Sequence, residues 1–412
     1  MSSESAEIEG LQDDDEPLDV GKMAIPAGAS EKEIEKHFEV GRLRVVQEKN
    51  DIFLSHVLDF IQGSSESRVW SNLRPEYQRR LRWDNKKKSK LIESFIMNIP
   101  VPPIFLYEKT LGRFEVMDGQ QRLNAISEFW AGNFTLEGLK IWAALNGRTY
   151  AQLPPLVRRG LERAKISAIT LMSDTSGGED NGIELRAQVF ERLNTGGEHL
   201  NAQELRNSLY SGPFNDMIIS LSKEKAFTDA WGIPDHEENT LADGSVSEEL
   251  KDNVLYKRMT DVEIVLRFFT FQDDKKISGS VRSMLDAIMK SNRHMKPDEI
   301  EIARRQFRDT LNLARLVFGK DAFRLPGTGD GNGKLSKPLY DAQIIALFRL
   351  QSRASDILAS APAIKNAVMN LARPNSDTYE LMVGRGNTAG TIRDRIARVQ
   401  NAIEGAIING ST

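Results

Sequence analysis

Cysteine is absent from this 412-residue chain. That removes disulfides, thiolate zinc sites and cysteine nucleophiles together, and it is compatible with a reducing cytoplasm, the compartment expected here. Histidine is scarce as well. His37, His56, His199, His236 and His294 are scattered, with no pair at the helical spacing of metal ligands, so a structural zinc site is not expected. No apolar run approaches the roughly eighteen residues a membrane helix needs, and the N-terminus lacks a basic stretch followed by an apolar core. Neither a membrane span nor a secretion signal is therefore expected. What is present, 40% hydrophobic and 28% charged residues, fits a globular chain long enough for two domains.

The net charge of −4 conceals an uneven distribution. Residues 1–19 hold acids and no base, and a disordered acidic tail is expected over residues 1–37. By contrast, Arg68 to Lys90 ("RVWSNLRPEYQRRLRWDNKKKSK") is dominated by arginine and lysine. An acidic balance does not exclude a polyanion partner; it makes any such site local.

The order of elements predicts an α/β domain over 38–212 and an all-helical domain over 213–412, an α+β chain. "EVGRLRVV" reads as a strand or turn and "DIFLSHVLDFIQ" as a helix. "DNKKKSKLIESFIMN" reads as a helix capped by Asp84 and stopped by "IPVPP". "PIFLYEKTLGRFEVMDG" has the pattern of a hairpin, followed by a helix with Leu123, Ile126, Phe129 and Trp130 on one stripe. "AKISAITLM" is a further strand, and "NGIELRAQVFERLNTGG" a helix ended by Gly-Gly. Asn201 and Glu204 have capping-box spacing. Beyond Gly212 helical periodicity dominates, with "EELKDNVLYKRMTDVEIVLRFFTF" read as one long helix.

Within this frame "FEVMDGQQRL" stands out. A strand delivers Asp118 to the open end of a sheet, Gly119 lets a ligand approach the backbone, and the next helix offers free N–H groups and a positive dipole end. Helical spacing turns Arg122 towards the apolar stripe, where a guanidinium needs an anionic partner: a phosphate, or a structural carboxylate. Lys86, Lys87 and Lys88 fall in the first turn of a helix, where the dipole disfavours cations by roughly 0.3–1 kcal/mol each. Either a polyanion offsets that cost or the run is a solvated helix start. Tyr77 and Trp83 add faces on which a base can stack.

Three segments, "PEYQRRLRW" (Pro75 to Trp83), "FEVMDGQQRL" (Phe114 to Leu123) and "FERLNTGGEHLNAQELRN" (Phe190 to Asn207), together resemble the N-terminal domain of GmrSD-type modification-dependent restriction systems. The resemblance implies a ParB/sulfiredoxin-like fold and a nucleoside-triphosphate pocket with hydrolysis. Its signature would be Asp118, Gly119, Gln120, Gln121 and Arg122, joined by Tyr77, Gln78 and Arg79 and by Arg192, Leu193 and Asn194. In that reading Arg79 and Arg122 clamp phosphates, while Asn194 contacts the ligand or merely caps its helix. Asp118 holds Mg²⁺ or orients the attacking water, and Gln120 or Gln121 positions that water. Arg80, Arg82, Lys86, Lys87 and Lys88 would meet DNA.

In that family the nuclease lies in a C-terminal His-Asn-His domain or in a partner chain. No His-Asn-His pattern follows residue 212, so the cutting activity is not carried over and a separate nuclease subunit is the implied partner. The chain is thus expected to bind and hydrolyse a nucleoside triphosphate within an antiphage restriction system acting on foreign or modified DNA. Two alternatives are a DNA-binding ParB-like protein with a degenerate or sensing site, and a direct metal-dependent nuclease. "LPGTGDGNGKLSK" is not a P-loop, because Thr328 stands where its first glycine belongs and Leu335 where Ser or Thr must follow the lysine. Asp235 with Glu249 and Lys251 has the spacing of a two-carboxylate nuclease but lacks the strands such a site needs.

Overall fold

The computed structural model describes residues 8–9, 25–41, 45–62, 71–72, 83–110, 113–173, 189, 201–241, 246–327 and 333–409. The chain divides into two compact units, Leu18–His199 and Leu200–Thr412, the latter joined by Met1–Pro17. The fold is α+β.

In the first unit a five-stranded sheet carries the helices. Strand β1 (Ile8–Glu9) belongs to the other unit; here the elements are α1 (Glu31–Gly41), β2 (Val45–Phe53), α2 (Val57–Gln62), β3 (Ser71–Asn72), α3 (Asn85–Ile96), β4 (Ile104–Thr110), β5 (Arg113–Asp118), α4 (Gln120–Trp130), α5 (Pro155–Arg163) and β6 (Lys165–Ser173). The strand order is β2-β6-β4-β5-β3. β6 lies between β2, to which it is antiparallel, and β4, to which it is parallel, and β4 and β5 form the expected hairpin. Alternation buries Ile166, Ala168 and Thr170 of β6 while Lys165 and Ser167 face outward. Val57, Ile92, Phe95, Leu123, Ile126 and Phe129 from the helices close over Ile104, Leu106, Val116 and Ile166 in one core. Each such side chain contributes about 1.5–3 kcal/mol of transfer free energy.

Local chemistry sets the helix starts. The Asp84 carboxylate accepts from the Lys87 N–H at 2.7 Å and opens α3. The strand β2 runs on to Phe53, so "DIF" extends the sheet and the helix begins only after a tight turn at Leu54–His56. The segment read as a disordered tail contains two ordered pieces. Ile8–Glu9 pairs with Leu335–Ser336, and α1 is preceded by Ser30, whose N–H and hydroxyl both donate to Glu33.

The second unit is helical: α6 (Ala202–Leu209), α7 (Pro213–Ser222), α8 (Lys225–Trp231), α9 (Glu248–Asp252), α10 (Val254–Lys257), α11 (Thr260–Thr270), α12 (Val281–Ser291), α13 (Pro297–Phe318), the short strand β7 (Leu335–Ser336), α14 (Lys337–Arg349), α15 (Ala354–Ala359), α16 (Ala361–Leu371), α17 (Tyr379–Met382) and α18 (Ala389–Asn409). Trp231, Phe268, Phe307, Phe323 and Tyr340 are buried at its centre. It starts at Leu200 rather than 213 because the Asn201–Glu204 capping box opens α6, whose Leu205 and Leu209 are buried and which packs on α11 and α12. The single helix expected over 248–271 is three. Asn253 caps α10, and Met259, at φ 54°, breaks the chain before α11.

Candidate nucleotide site

The junction between β5 and α4 has the strand–glycine–helix form expected. Asp118 ends β5 opposite Phe105, beside an irregularity in the β4–β5 register. Gly119 has φ 95°, a conformation that favours glycine, and a Cβ there would lie 2.4 Å from Ile104 Cγ2. Its immediate role is therefore internal, a tight turn against the neighbouring strand. The first amides of α4 have no acceptors within the helix, and Gly119 supplies no side-chain cap.

Arg122 turns inward as the helical count requires, and its partner is Asp118, one turn back. The guanidinium Nη2 donates to Asp118 Oδ2 at 2.5 Å and to the Pro103 carbonyl at 3.3 Å. The carboxylate is not a core acid: the Asp118 side chain is 44% exposed, the Arg122 side chain 13%. Arg122 Nε is buried with no hydrogen-bond partner. The pair therefore closes the junction while leaving a carboxylate at the surface and one guanidinium donor unsatisfied. Gln120 and Gln121 are both buried at the start of α4, and Gln121 Oε1 accepts from the Trp83 N–H at 3.4 Å. That bond brings the end of the basic segment to the Asp118–Arg122 element.

Residues 57–211 match the family model of the GmrSD restriction endonuclease, N-terminal domain. That segment is similar to GmrSD-type N-terminal domains. The match agrees with the family the three motifs resemble; it takes in α6 and the sheet strands β3 to β6 but not β2. No curated protein and no solved structure matches the chain.

Of the residues assigned to the GmrSD-type pocket, Asp118, Gly119, Gln120, Gln121 and Arg122 lie together. Tyr77, Gln78, Arg79, Arg80, Arg82, Arg192, Leu193 and Asn194 lie outside the described residues. Both flanks of the 73–82 stretch are nonetheless fixed to this element, since Asn72 pairs with Glu115 of β5 and Trp83 bonds Gln121. The lysine run separates into different environments. Lys86 is exposed, Lys87 lies over the Trp83 ring at 5.2 Å, and Lys88 pairs with Glu128 of α4 at 2.6 Å. Lys88 is thus committed to the fold. Helical periodicity alone does not reveal this, because Glu128 is distant in sequence.

For Mg²⁺, one exposed carboxylate at a sheet end suits a site in which nucleotide phosphates and water supply the other ligands. Among the described residues no three His, Asp or Glu side chains gather as a protein-only metal site. Asp235 accepts from the Glu237 and Glu238 N–H groups and pairs with Lys225, whereas Glu249 lies on the five-residue helix α9. No helix of the described residues is long and apolar enough to cross a membrane.

Proposed function

We propose that the GmrSD-type domain, with a ParB/sulfiredoxin-like architecture, binds a nucleoside triphosphate at the β5–α4 junction and hydrolyses it within a restriction system acting on foreign or modified DNA. The observation that carries this reading is the Trp83–Gln121 bond, which tethers the segment bearing Tyr77, Gln78 and Arg79 to the helix start that holds Arg122. A helix N-terminus and a guanidinium with an unsatisfied donor both suit phosphate oxygens. In this reading Arg122 exchanges part of its contact with Asp118 for the phosphates, and the released carboxylate orients water or joins Mg²⁺. The ion, when bound, would offset charge on the phosphates. Cleavage of DNA would fall to a separate nuclease chain.

The experiment is phosphate release across the four nucleoside triphosphates with Mg²⁺, with and without duplex DNA. Asp118→Asn and Arg122→Lys keep the shapes of the pair, and each is expected to lower release by about 10²–10³-fold while the melting temperature barely moves. Release unchanged in both variants discards the assignment. A second reading, a sensing site that binds without hydrolysis, is favoured by the tight hold of Arg122 on Asp118. It predicts nucleotide binding and salt-sensitive DNA binding with no release.

A further inference from the structure

Residues 136–148, between α4 and α5, form a loop closed on itself. The Leu136 N–H donates to the Arg148 carbonyl at 3.0 Å, and the Gly147 N–H donates back to the Leu136 carbonyl at 2.7 Å. Across the middle, the Asn146 side chain accepts from the Leu139 N–H and donates to the Leu139 carbonyl. Leu136, Leu139 and Leu145 are buried beneath it. Two further bonds pin the loop along α3: the Glu137 N–H donates to Ser89 Oγ and the Trp142 N–H to Glu93 Oε1, both at 2.9 Å. Compact loops with close ends are frequent carriers of function.

This rigid mounting presents apolar side chains to water. Ile141 is 69% exposed and Trp142 37%. Single exposed apolar residues are ordinary, but an adjacent pair at the tip of a pinned loop is not explained by the fold. The surroundings are basic. Among the described residues, Lys86, Lys90, Lys140, Arg148, Arg159 and Arg163 have no ion-pair partner, whereas Arg158 and Lys165 reach Glu162 and Asp51. The Lys86 side chain lies against the loop, 3.3 Å from where a Cβ on Gly138 would stand. Of the nearby acids, Asp84 caps α3, Glu93 holds Trp142 and Glu162 accepts from Tyr150, while the Glu137 side chain in the loop is exposed and offsets one of these charges. Beside α3, helix α5 contains Gly160, where an added Cβ would meet nothing. A glycine inside an exposed helix costs about 1 kcal/mol relative to alanine, and it allows a partner's backbone to come close.

We propose that the 136–148 loop is a contact for duplex DNA, with Ile141 and Trp142 meeting base edges or a base step and Lys86, Lys140 and Arg148 neutralising phosphates. Apolar wedges flanked by bases recur where proteins unstack a base step, and a duplex carries its charge at a density that unpaired cations match. The choice of DNA rests on the restriction-system reading; the contact itself does not depend on nucleotide hydrolysis.

The test uses the full chain, fluorescein-labelled duplexes and duplexes containing 2-aminopurine, from 50 to 200 mM salt, with and without nucleoside triphosphate. Wild type is expected to bind with a steep salt dependence and to raise 2-aminopurine fluorescence. Lys140→Gln is expected to reduce the slope of log affinity against log salt by about 1. Ile141→Ser is expected to keep the slope, weaken binding about tenfold and abolish the fluorescence rise. Wild-type affinity in both variants would assign the tip to a protein partner and overturn the proposal, as would absence of duplex binding by wild type. Phosphate release from the same preparations separates the two readings, because loss of hydrolysis with intact loop effects rejects only the nucleotide site.

Discussion

Along α13 of the helical unit, acids hold three arginines: Arg304 reaches Glu301, Arg308 takes both oxygens of Glu224, and Arg315 reaches Asp229. Around α3, α5 and the 136–148 loop of the sheet-bearing unit, Lys86, Lys90, Lys140, Arg148, Arg159 and Arg163 have no ion-pair partner among the described residues, whereas Arg158 reaches Glu162. The contrast deepens inside. In the helical unit the Arg267 guanidinium grips Asp341 through two bonds with both side chains buried, Glu263 lies between Lys337 and Arg267, and Arg206 meets Asp286. These pairs of the helical unit fix helices to one another, as Lys88 with Glu128 does in the sheet-bearing unit, whereas the six bases around the loop are left available to a partner. A count of lysines and arginines along the sequence does not distinguish these uses; the position of the acids does.

The comparison breaks most visibly at Asp341. A buried pair stabilises little relative to apolar residues of the same shape, but removing one partner strands the other charge. Asp341→Asn is expected to cost about 3–5 kcal/mol, read as a lower denaturant midpoint and faster amide exchange in α11 and α14. Arg267→Met combined with Asp341→Leu is expected to recover most of that loss. A loss below about 1 kcal/mol for the single variant would mean that the network does not fasten these helices.

Acid sharpens the same contrast. Burial pushes the Glu263 carboxyl upward, but Lys337, Arg267 and Arg206 outweigh it and bring the group from 4.5 down to about 2. The unfolded chain therefore takes up this proton first. The stabilisation is present above about pH 4.5 and is lost as pH falls towards 2. The denaturant midpoint of wild type should fall across that window, and Glu263→Gln should flatten the fall. An equal slope in the variant would remove Glu263 from the account.

What was legible follows from range. Asp84, Ser30 with Glu33, and Asn201 with Glu204 act over three residues, so each is readable in sequence. The hairpin and the inward turn of Arg122 depend on short periods and were equally accessible. The identity of its partner was not, because an acid one turn back and an acid across the core satisfy the same helical count. The sequence suggests room for a ligand at Gly119, yet its neighbour is Ile104 on the adjacent strand, a contact set by sheet order. The loop with Ile141 and Trp142 carried a signal, an apolar pair between Gly138 and Gly147. Only the bonds to Ser89 and Glu93 show that it is rigid.

The smallest expected effect separates two lysines of one run. Lys88 Nζ pairs with Glu128 and lies 5.5 Å from the centre of the Phe134 ring, and Glu128 also accepts from Asn124. The Lys86 stem lies against the loop at Gly138, and among the described residues its ammonium has no ion-pair partner. Lys88→Gln is thus expected to cost at most about 1 kcal/mol of stability, since a partly solvated pair is worth little, and to leave duplex affinity and its salt slope unchanged. Lys86→Gln is expected to do the reverse, sparing the denaturant midpoint and lowering the slope by about 1. If both lysines moved affinity alike, free charge in the sheet-bearing unit would be acting only through a diffuse field. If neither did, the contrast between paired and unpaired bases would have no bearing on DNA.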